Sequence, residues 1–324
     1  MSAVVVKSAA AAVAAGAAAA AAALFVFRRH KKKTQKSTGS RSAAAAAADE
    51  PRGASVLEVY ATRPLDDDPD VSPPCLKLLA FLKLAGVPYA YVPYKTHLMR
   101  GAPKRKVPFV RGGPHLEKPL GDSQFIVEAF QARGIGSDLD AWLTDEQRAI
   151  ATAFRVMLEE SVYWSLLAVR WIDETQFERH TVPLLFGNIT PPVLRRFVAR
   201  GVRAKCVKVL DDQGYGRHAP DELVHLMRTQ LGALETYLGG SSPPSPPAAS
   251  AASSSSSSAS SSDKPFFFGD RPCTLDCVVY AFTTSLVQGP WVDHPVAAAA
   301  RSFDKLMAHQ ARLKALLAFD VPPP

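Results

Sequence analysis

The chain has 324 residues, room for about two domains at roughly 100–200 residues each, and its 47% hydrophobic and 21% charged content excludes a wholly disordered protein. Its net charge of +8 is concentrated at the start: Lys7, Arg28, Arg29, Lys31, Lys32, Lys33, Lys36 and Arg41 all precede Pro51, opposed there only by Asp49 and Glu50. That asymmetry excludes a nucleic-acid-binding body, because phosphate contacts need cations spread over the folded surface. The four cysteines, Cys75, Cys206, Cys273 and Cys277, are too few and too scattered for a disulfide framework, and no Cys-x-x-Cys pair offers zinc a site.

Residues 9–27 are all Ala, Val, Gly, Leu or Phe and run straight into Arg28-Arg29-His30-Lys31-Lys32-Lys33. A bilayer core takes about 20 apolar residues as helix, so the length just suffices for one span. A secretory signal carries its positive charge ahead of the apolar run, whereas here only Lys7 precedes it and the main cluster follows. By the positive-inside rule the basic side and everything after it face the cytosol. The pattern predicts a single-pass membrane anchor with a basic flank over residues 1–36, in the mitochondrial outer membrane or the endoplasmic reticulum. An alanine tract without function is the alternative. Residues 37–54, rich in Ser, Lys and Ala, read as a flexible tether.

The first folded segment spans residues 55–140. Val56-Leu57-Glu58-Val59-Tyr60 alternates and reads as a strand. Ser72-Pro73-Pro74 then supplies an N-cap and early-helix prolines to a helix carrying Leu76, Leu79, Ala80, Leu82 and Leu84 and closed by Gly86. Strands are expected over 89–94, 106–110 and 115–120, the last two around Gly112-Gly113-Pro114, and Asp122 or Ser123 caps a helix through Phe125, Ile126, Ala129 and Phe130. Pro108 inside an apolar strand argues against a mid-sheet position unless the chain is specialised there. A Val-Pro facing the first helix matches the thioredoxin arrangement, in which that bond is cis and offers the preceding backbone to a thiol ligand.

From residue 141 to 320 the chain is expected to be all-α. Thr144 caps a long amphipathic stretch in which Ile150, Phe154, Met157, Leu158, Val162, Trp164, Leu167 and Trp171 recur at helical spacing. Helical patterns follow over 193–210, 221–238, 275–287 and 296–317. A Ser/Pro/Ala insert over 239–263 has no apolar residue able to join a core.

Together, Ser72-Pro73-Pro74-Cys75-Leu76-Lys77, Lys106-Val107-Pro108-Phe109-Val110 and Asp122-Ser123-Gln124-Phe125-Ile126, followed by helices, resemble a glutathione S-transferase fold: an α+β thioredoxin-like domain and then an all-α domain. Leu158-Glu159-Glu160-Ser161-Val162-Tyr163-Trp164, Arg170-Trp171-Ile172-Asp173, Gly214-Tyr215-Gly216-Arg217-His218 and Thr274-Leu275-Asp276 resemble, within that superfamily, the failed axon connections branch related to metaxins. The resemblance implies a membrane-tethered, non-catalytic adaptor linked to axonal development, meeting protein partners through its helical domain. It also keeps open a glutathione-dependent transferase or thiol reductase, and a metaxin-like component of mitochondrial outer-membrane import or transport. A homodimer is compatible with the scaffold.

The catalytic candidates are Ser72, whose hydroxyl could hydrogen-bond a glutathione thiolate at a helix N-terminus, and Cys75, whose thiol could be acidified there. Each has a plain structural alternative, as N-cap and as packing residue. With a serine at position 72, Cys75 cannot form a dithiol. The resemblance gives glutathione as the candidate cofactor: Val107 and Pro108 for its cysteinyl backbone, Asp122 and Ser123 for its γ-glutamyl end. Thr274 and Asp276 are expected to cap a buried helix, with Cys273 standing where Ser or Thr is usual. Cys273 and Cys277 lack partners for a metal. Glu159 and Glu160 could do acid/base work if buried, or face the domain interface, and Gly214 to His218 reads as a turn, unlike a phosphate loop, which joins a strand to a helix.

Overall fold

The computed structural model describes residues 56–64, 68–93, 101–187, 189, 191–239, 264–289 and 291–320. The chain divides into two compact units, Met1–Arg52 and Gly53–Pro324. The first unit, with the predicted anchor and most of the tether, lies outside the described residues, as do residues 240–263 of the insert. Among the described residues no helix is long and apolar enough to cross a membrane. Each of the described hydrophobic clusters falls within Gly53–Pro324, which therefore carries its own core and folds on its own.

Strand β1, Leu57–Ala61, pairs in parallel with β2, Tyr89–Pro93, through the intervening helix α1, Pro73–Leu84. Strand β3, Phe109–Gly112, runs antiparallel to β1 and pairs with β4, Leu120–Gly121, giving the order β2-β1-β3-β4. Helix α2, Ser123–Gln131, follows at once. This is the thioredoxin-like arrangement expected from the sequence. The strand expected over 115–120 is mostly a turn, because Gly112 and Gly113 both take positive φ and Pro119 has no N–H to give a ladder. Pro108 sits one residue ahead of β3, with the Val107–Pro108 bond cis, so the ladder loses no donor.

Ser72 takes the extended N-cap conformation and Pro73 the first helical position. From Cys75 to Leu82 every residue of α1 is buried, Lys77 included. A helix apolar on nearly all sides needs cover all round. Its cover comes from the sheet on one side and from the helical domain on the other, where Tyr280, Ala281, Leu313 and Leu317 join the same cluster as Leu57, Val59 and Phe81.

The helical domain starts with a single turn, Asp138–Ala141, and with α3, Asp145–Met157, whose N-terminus is closed by a reciprocal box between Thr144 and Gln147. The long helix expected from residue 144 to 171 is interrupted by a π-helical turn, Leu158–Val162, before α4, Tyr163–Trp171. Short turns over 174–186, one of them π-helical at Phe177–Thr181, lead to α5, Pro192–Gln213, and α6, Pro220–Leu238. After the insert come α7, Thr274–Val287, α8, Pro295–Arg301, and α9, Asp304–Leu317. The single helix expected over 296–317 is thus two. The break is held by Glu235 on α6, which accepts the N–H groups of Lys305 at 3.0 Å and Leu306 at 2.9 Å, so the second helix can start afresh.

Candidate functional site

A cleft of about 530 Å³ lies where the two domains meet. Pro74, Lys104, Lys106, Val107, Pro108 and the residues from Asp122 to Phe125 form one wall; Arg155, Glu159, Glu160, Tyr163, Trp164 and Phe282 form the other. Four of the residues singled out in the sequence for ligand binding, Val107, Pro108, Asp122 and Ser123, therefore share one surface. Asp122 is the N-cap of α2: its Oδ1 accepts the Gln124 N–H at 3.1 Å, and its own N–H donates to the Pro108 carbonyl at 3.2 Å. It holds φ at +86°, a region a side chain bearing a Cβ seldom enters and one that clusters at ligand clamps. The strain fixes the carboxylate at the mouth of α2, where Lys104 Nζ lies 3.4 Å from Oδ2. Ser123 is buried at the first turn of α2.

Behind the cleft wall the two domains are tied by charge. Lys77, on the buried face of α1, donates to Gln124 Oε1 at 2.5 Å and to Glu159 Oε1 at 2.6 Å, while Arg155 reaches Glu159 Oε2 at 2.8 Å. Burial pushes the Lys77 ammonium down from its ordinary range, and the Glu159 carboxylate opposes that shift. Glu159 is therefore a structural counter-ion with both oxygens engaged, as the interface alternative for the Glu159-Glu160 pair anticipated.

The proposed catalytic pair is placed differently. Cys75 is fully buried, and its thiol is pushed well above the usual range by burial and by the nearby Asp70 carboxylate. Held protonated and away from solvent, it fits the packing alternative of the two the sequence offered rather than the reactive thiol. Ser72 is only half-buried, yet its side chain is not among those lining the cleft. Its N–H donates to Asp70 Oδ1 at 2.8 Å. Asp70 is the residue that sequence reading missed: buried, it also accepts the Thr62 N–H at 2.8 Å, the Thr62 hydroxyl and the Tyr91 hydroxyl at 2.8 Å. Burial outweighs these four hydrogen bonds and raises its carboxyl to about 6. In the sequence it sits in an Asp- and Pro-rich loop with nothing to mark it.

Asp276 is the acceptor at the start of α7, taking the Cys273 N–H at 2.8 Å, the Cys273 thiol at 3.1 Å, the Phe267 N–H at 3.1 Å and His309 Nε2 at 2.7 Å. Thr274 does not stand in for the missing cap serine. It donates its N–H and hydroxyl to Asp140 at 2.9 and 2.6 Å, tying α7 to the turn that opens the helical domain. Among the described residues no group of His, Cys, Asp and Glu could hold a metal ion.

Two family models match: the glutathione S-transferase N-terminal domain over residues 73–176 and the glutathione S-transferase C-terminal domain over residues 258–313. The chain is 27% identical over 241 residues to an isoprene-epoxide glutathione S-transferase of Rhodococcus, spanning 72% of this chain and 88% of that protein. It is 25% identical over 258 residues to failed axon connections of Drosophila melanogaster, spanning 76% of this chain and only 54% of that protein. Among solved structures, a glutathione S-transferase of Ceriporiopsis subvermispora in complex with glutathione superposes over 83% of this chain and 99% of its own with a TM-score of 0.54 at 18% identity. A family member from Pseudomonas fluorescens with two glutathione bound superposes over 85% and 95% with a TM-score of 0.51 at 12% identity, and both likenesses concern the fold.

Proposed function

Taking as premise that the chain is a glutathione S-transferase-fold protein similar to failed axon connections, we propose that its cleft binds glutathione and that it works as a membrane-tethered adaptor. The observation that carries the binding reading is the joint placement of Val107, cis-Pro108, Asp122 and Ser123 on one cleft wall. Val107 precedes β3, so its backbone groups are free of the ladder and can pair with an extended cysteinyl residue as an added strand does. The Asp122 carboxylate offers a charge-assisted bond to a γ-glutamyl ammonium, and the N-terminus of α2 with Lys104 and Lys106 favours the ligand's carboxylates. The adaptor reading is supported by the burial of Cys75 and by the likeness to failed axon connections. The tether reading is supported by residues 9–36 of the sequence.

Calorimetric titration of residues 53–324 with reduced glutathione tests the binding. Saturable heat is expected, with affinity falling about tenfold or more for Asp122→Ala, since hydrogen bonds to charged groups contribute about 1.5–3 kcal/mol. Cys75→Ala is expected to change nothing in that titration. Silence from the folded protein sinks the reading. The likeness to an isoprene-epoxide glutathione S-transferase supports a second reading, conjugation to an electrophile; turnover of a small epoxide that scales with protein and disappears in Asp122→Ala would put it first. For the tether, the full chain is expected in the membrane fraction after a high-salt wash and residues 37–324 in the soluble fraction; identical partitioning of the two removes the anchor.

A further inference from the structure

The first half of α5 leaves its apolar side chains in water. Val193 is 80% exposed, Phe197 66% and Leu194 47%. At i, i+1 and i+4 they make one patch on the N-terminal half of the helix. A monomer normally buries a Phe and a Val so placed, and exposed apolar groups clustered within a polar rim mark an interaction site. The helix's own charges around the patch are positive. From residue 192 to 209 the helix carries Arg195, Arg196, Arg200, Arg203, Lys205 and Lys208 and no acidic residue, with Arg203 paired to Glu174 and Lys208 to Asp212. Arg196 and Arg200 flank the patch with side chains 68% and 65% exposed, and Glu178 is their shared carboxylate at 3.6 and 3.1 Å. One partly buried acid shared by two arginines leaves a net positive rim.

We propose that this face of α5 is a lipid-docking surface, inserting Val193, Leu194 and Phe197 into the interfacial layer of a membrane rich in anionic headgroups. Side chains so exposed stand out from the helix, and a lipid interface accepts them without a shaped complement. The flanking arginines then lie at the depth of the phosphates, the arrangement of an interfacial amphipathic helix with aromatic and aliphatic residues on one side and Lys or Arg on the other. The long arginine stems pack along the acyl boundary while the guanidinium groups stay with the headgroups. This docking is independent of the N-terminal anchor: it belongs to the folded unit and is electrostatic as well as apolar, so salt weakens it.

Cosedimentation of residues 53–324 with phosphatidylcholine vesicles, with and without 30 mole per cent phosphatidylserine as on the order of a cytosolic leaflet, tests the proposal apart from the anchor. Binding to the serine-containing vesicles is expected, weaker on pure phosphatidylcholine and weaker in high salt. The double substitution Val193→Ser with Phe197→Ser is expected to lower partitioning by roughly tenfold or more, because two large apolar side chains no longer leave water. Arg196→Gln with Arg200→Gln is expected to lower it by about tenfold on anionic vesicles alone. All four positions are on the exposed side of one helix, so unchanged circular dichroism and thermal transitions are expected of both variants. The proposal is overturned if the wild-type unit ignores anionic vesicles or if the variants bind as it does. It is equally overturned if sedimentation velocity shows a dimer that Phe197→Ser dissolves, since the patch is then covered by a second copy.

Discussion

Replacing Asp276 with alanine is expected to cost about 3–5 kcal/mol of unfolding free energy, because several buried donors lose their shared acceptor at about 1–3 kcal/mol each. Four donors converge on this carboxylate, and neither it nor His309 has any exposed side-chain surface. Alanine strands the N–H groups of Cys273 and Phe267 in a site that admits no water, and each orphaned donor costs about 1–3 kcal/mol. It also strands an imidazole whose Nδ1 already lacks a partner among the described residues. Since α7 packs on α1 and on α9, the loss reaches the cores of both domains. The measurement is denaturant unfolding of residues 53–324, with the midpoint shifted and the slope retained; a change below about 1 kcal/mol would mean that the network contributes little.

The second large effect is one of pH. Asp70 has a folded-state pKa raised from 3.8 to about 6, so the folded protein holds the proton more tightly than the unfolded chain. The resulting stabilisation is complete below pH 3.8 and is lost as pH rises through about 6, with a size of about 3 kcal/mol at 1.36 kcal/mol per unit. Asp70→Asn removes the titration. Whatever the amide costs by offering only one acceptor to the Thr62 and Ser72 N–H groups, the stability difference between variant and wild type should move by about 2.4 kcal/mol in the variant's favour from pH 4 to pH 7. Unfolding curves at both pH values give that difference directly. A difference that stays flat would mean that the carboxylate is ionised throughout and that its hydrogen bonds outweigh burial.

Much of the fold was legible because its signals are local. Ser72 before Pro73, the Thr144 box and the Val-Pro step each act within four residues, and the apolar face of α1 repeats at helical spacing. What escaped depends on groups far apart in the chain. Nothing near Ser302 announces that α8 and α9 separate, because the acceptor that restarts the helix is Glu235, 70 residues upstream of Lys305. The buried Lys77 has no counter-ion nearby in the chain; its partner Glu159 lies 82 residues on. That Val107, Pro108, Asp122 and Ser123 share one wall of a cleft follows from the Val-Pro step and the helix cap, both local signals. The choice between a reactive and a packing Cys75 stayed open in the sequence, which shows a thiol in a helix's first turn but not the sheet and helical domain that bury it. Likewise the π-helical turn at Leu158–Val162 keeps the apolar spacing on either side of it nearly helical, so periodicity passes over it.

That turn sets the phase of the helix that follows. An α-helix advances each side chain by about 100° per residue, and a π turn takes up roughly one residue more than an α turn in the same axial length. Everything from Tyr163 onward is therefore clocked round relative to α3. Leu158, Val162, Leu166 and Val169 stay on the core side, while Glu159, Glu160, Tyr163 and Trp164 all come to border the cleft. The polar and aromatic wall facing the thioredoxin-like domain is thus built across a helical junction, with Glu159 and Glu160 on the π turn and Tyr163 and Trp164 on the helix it starts.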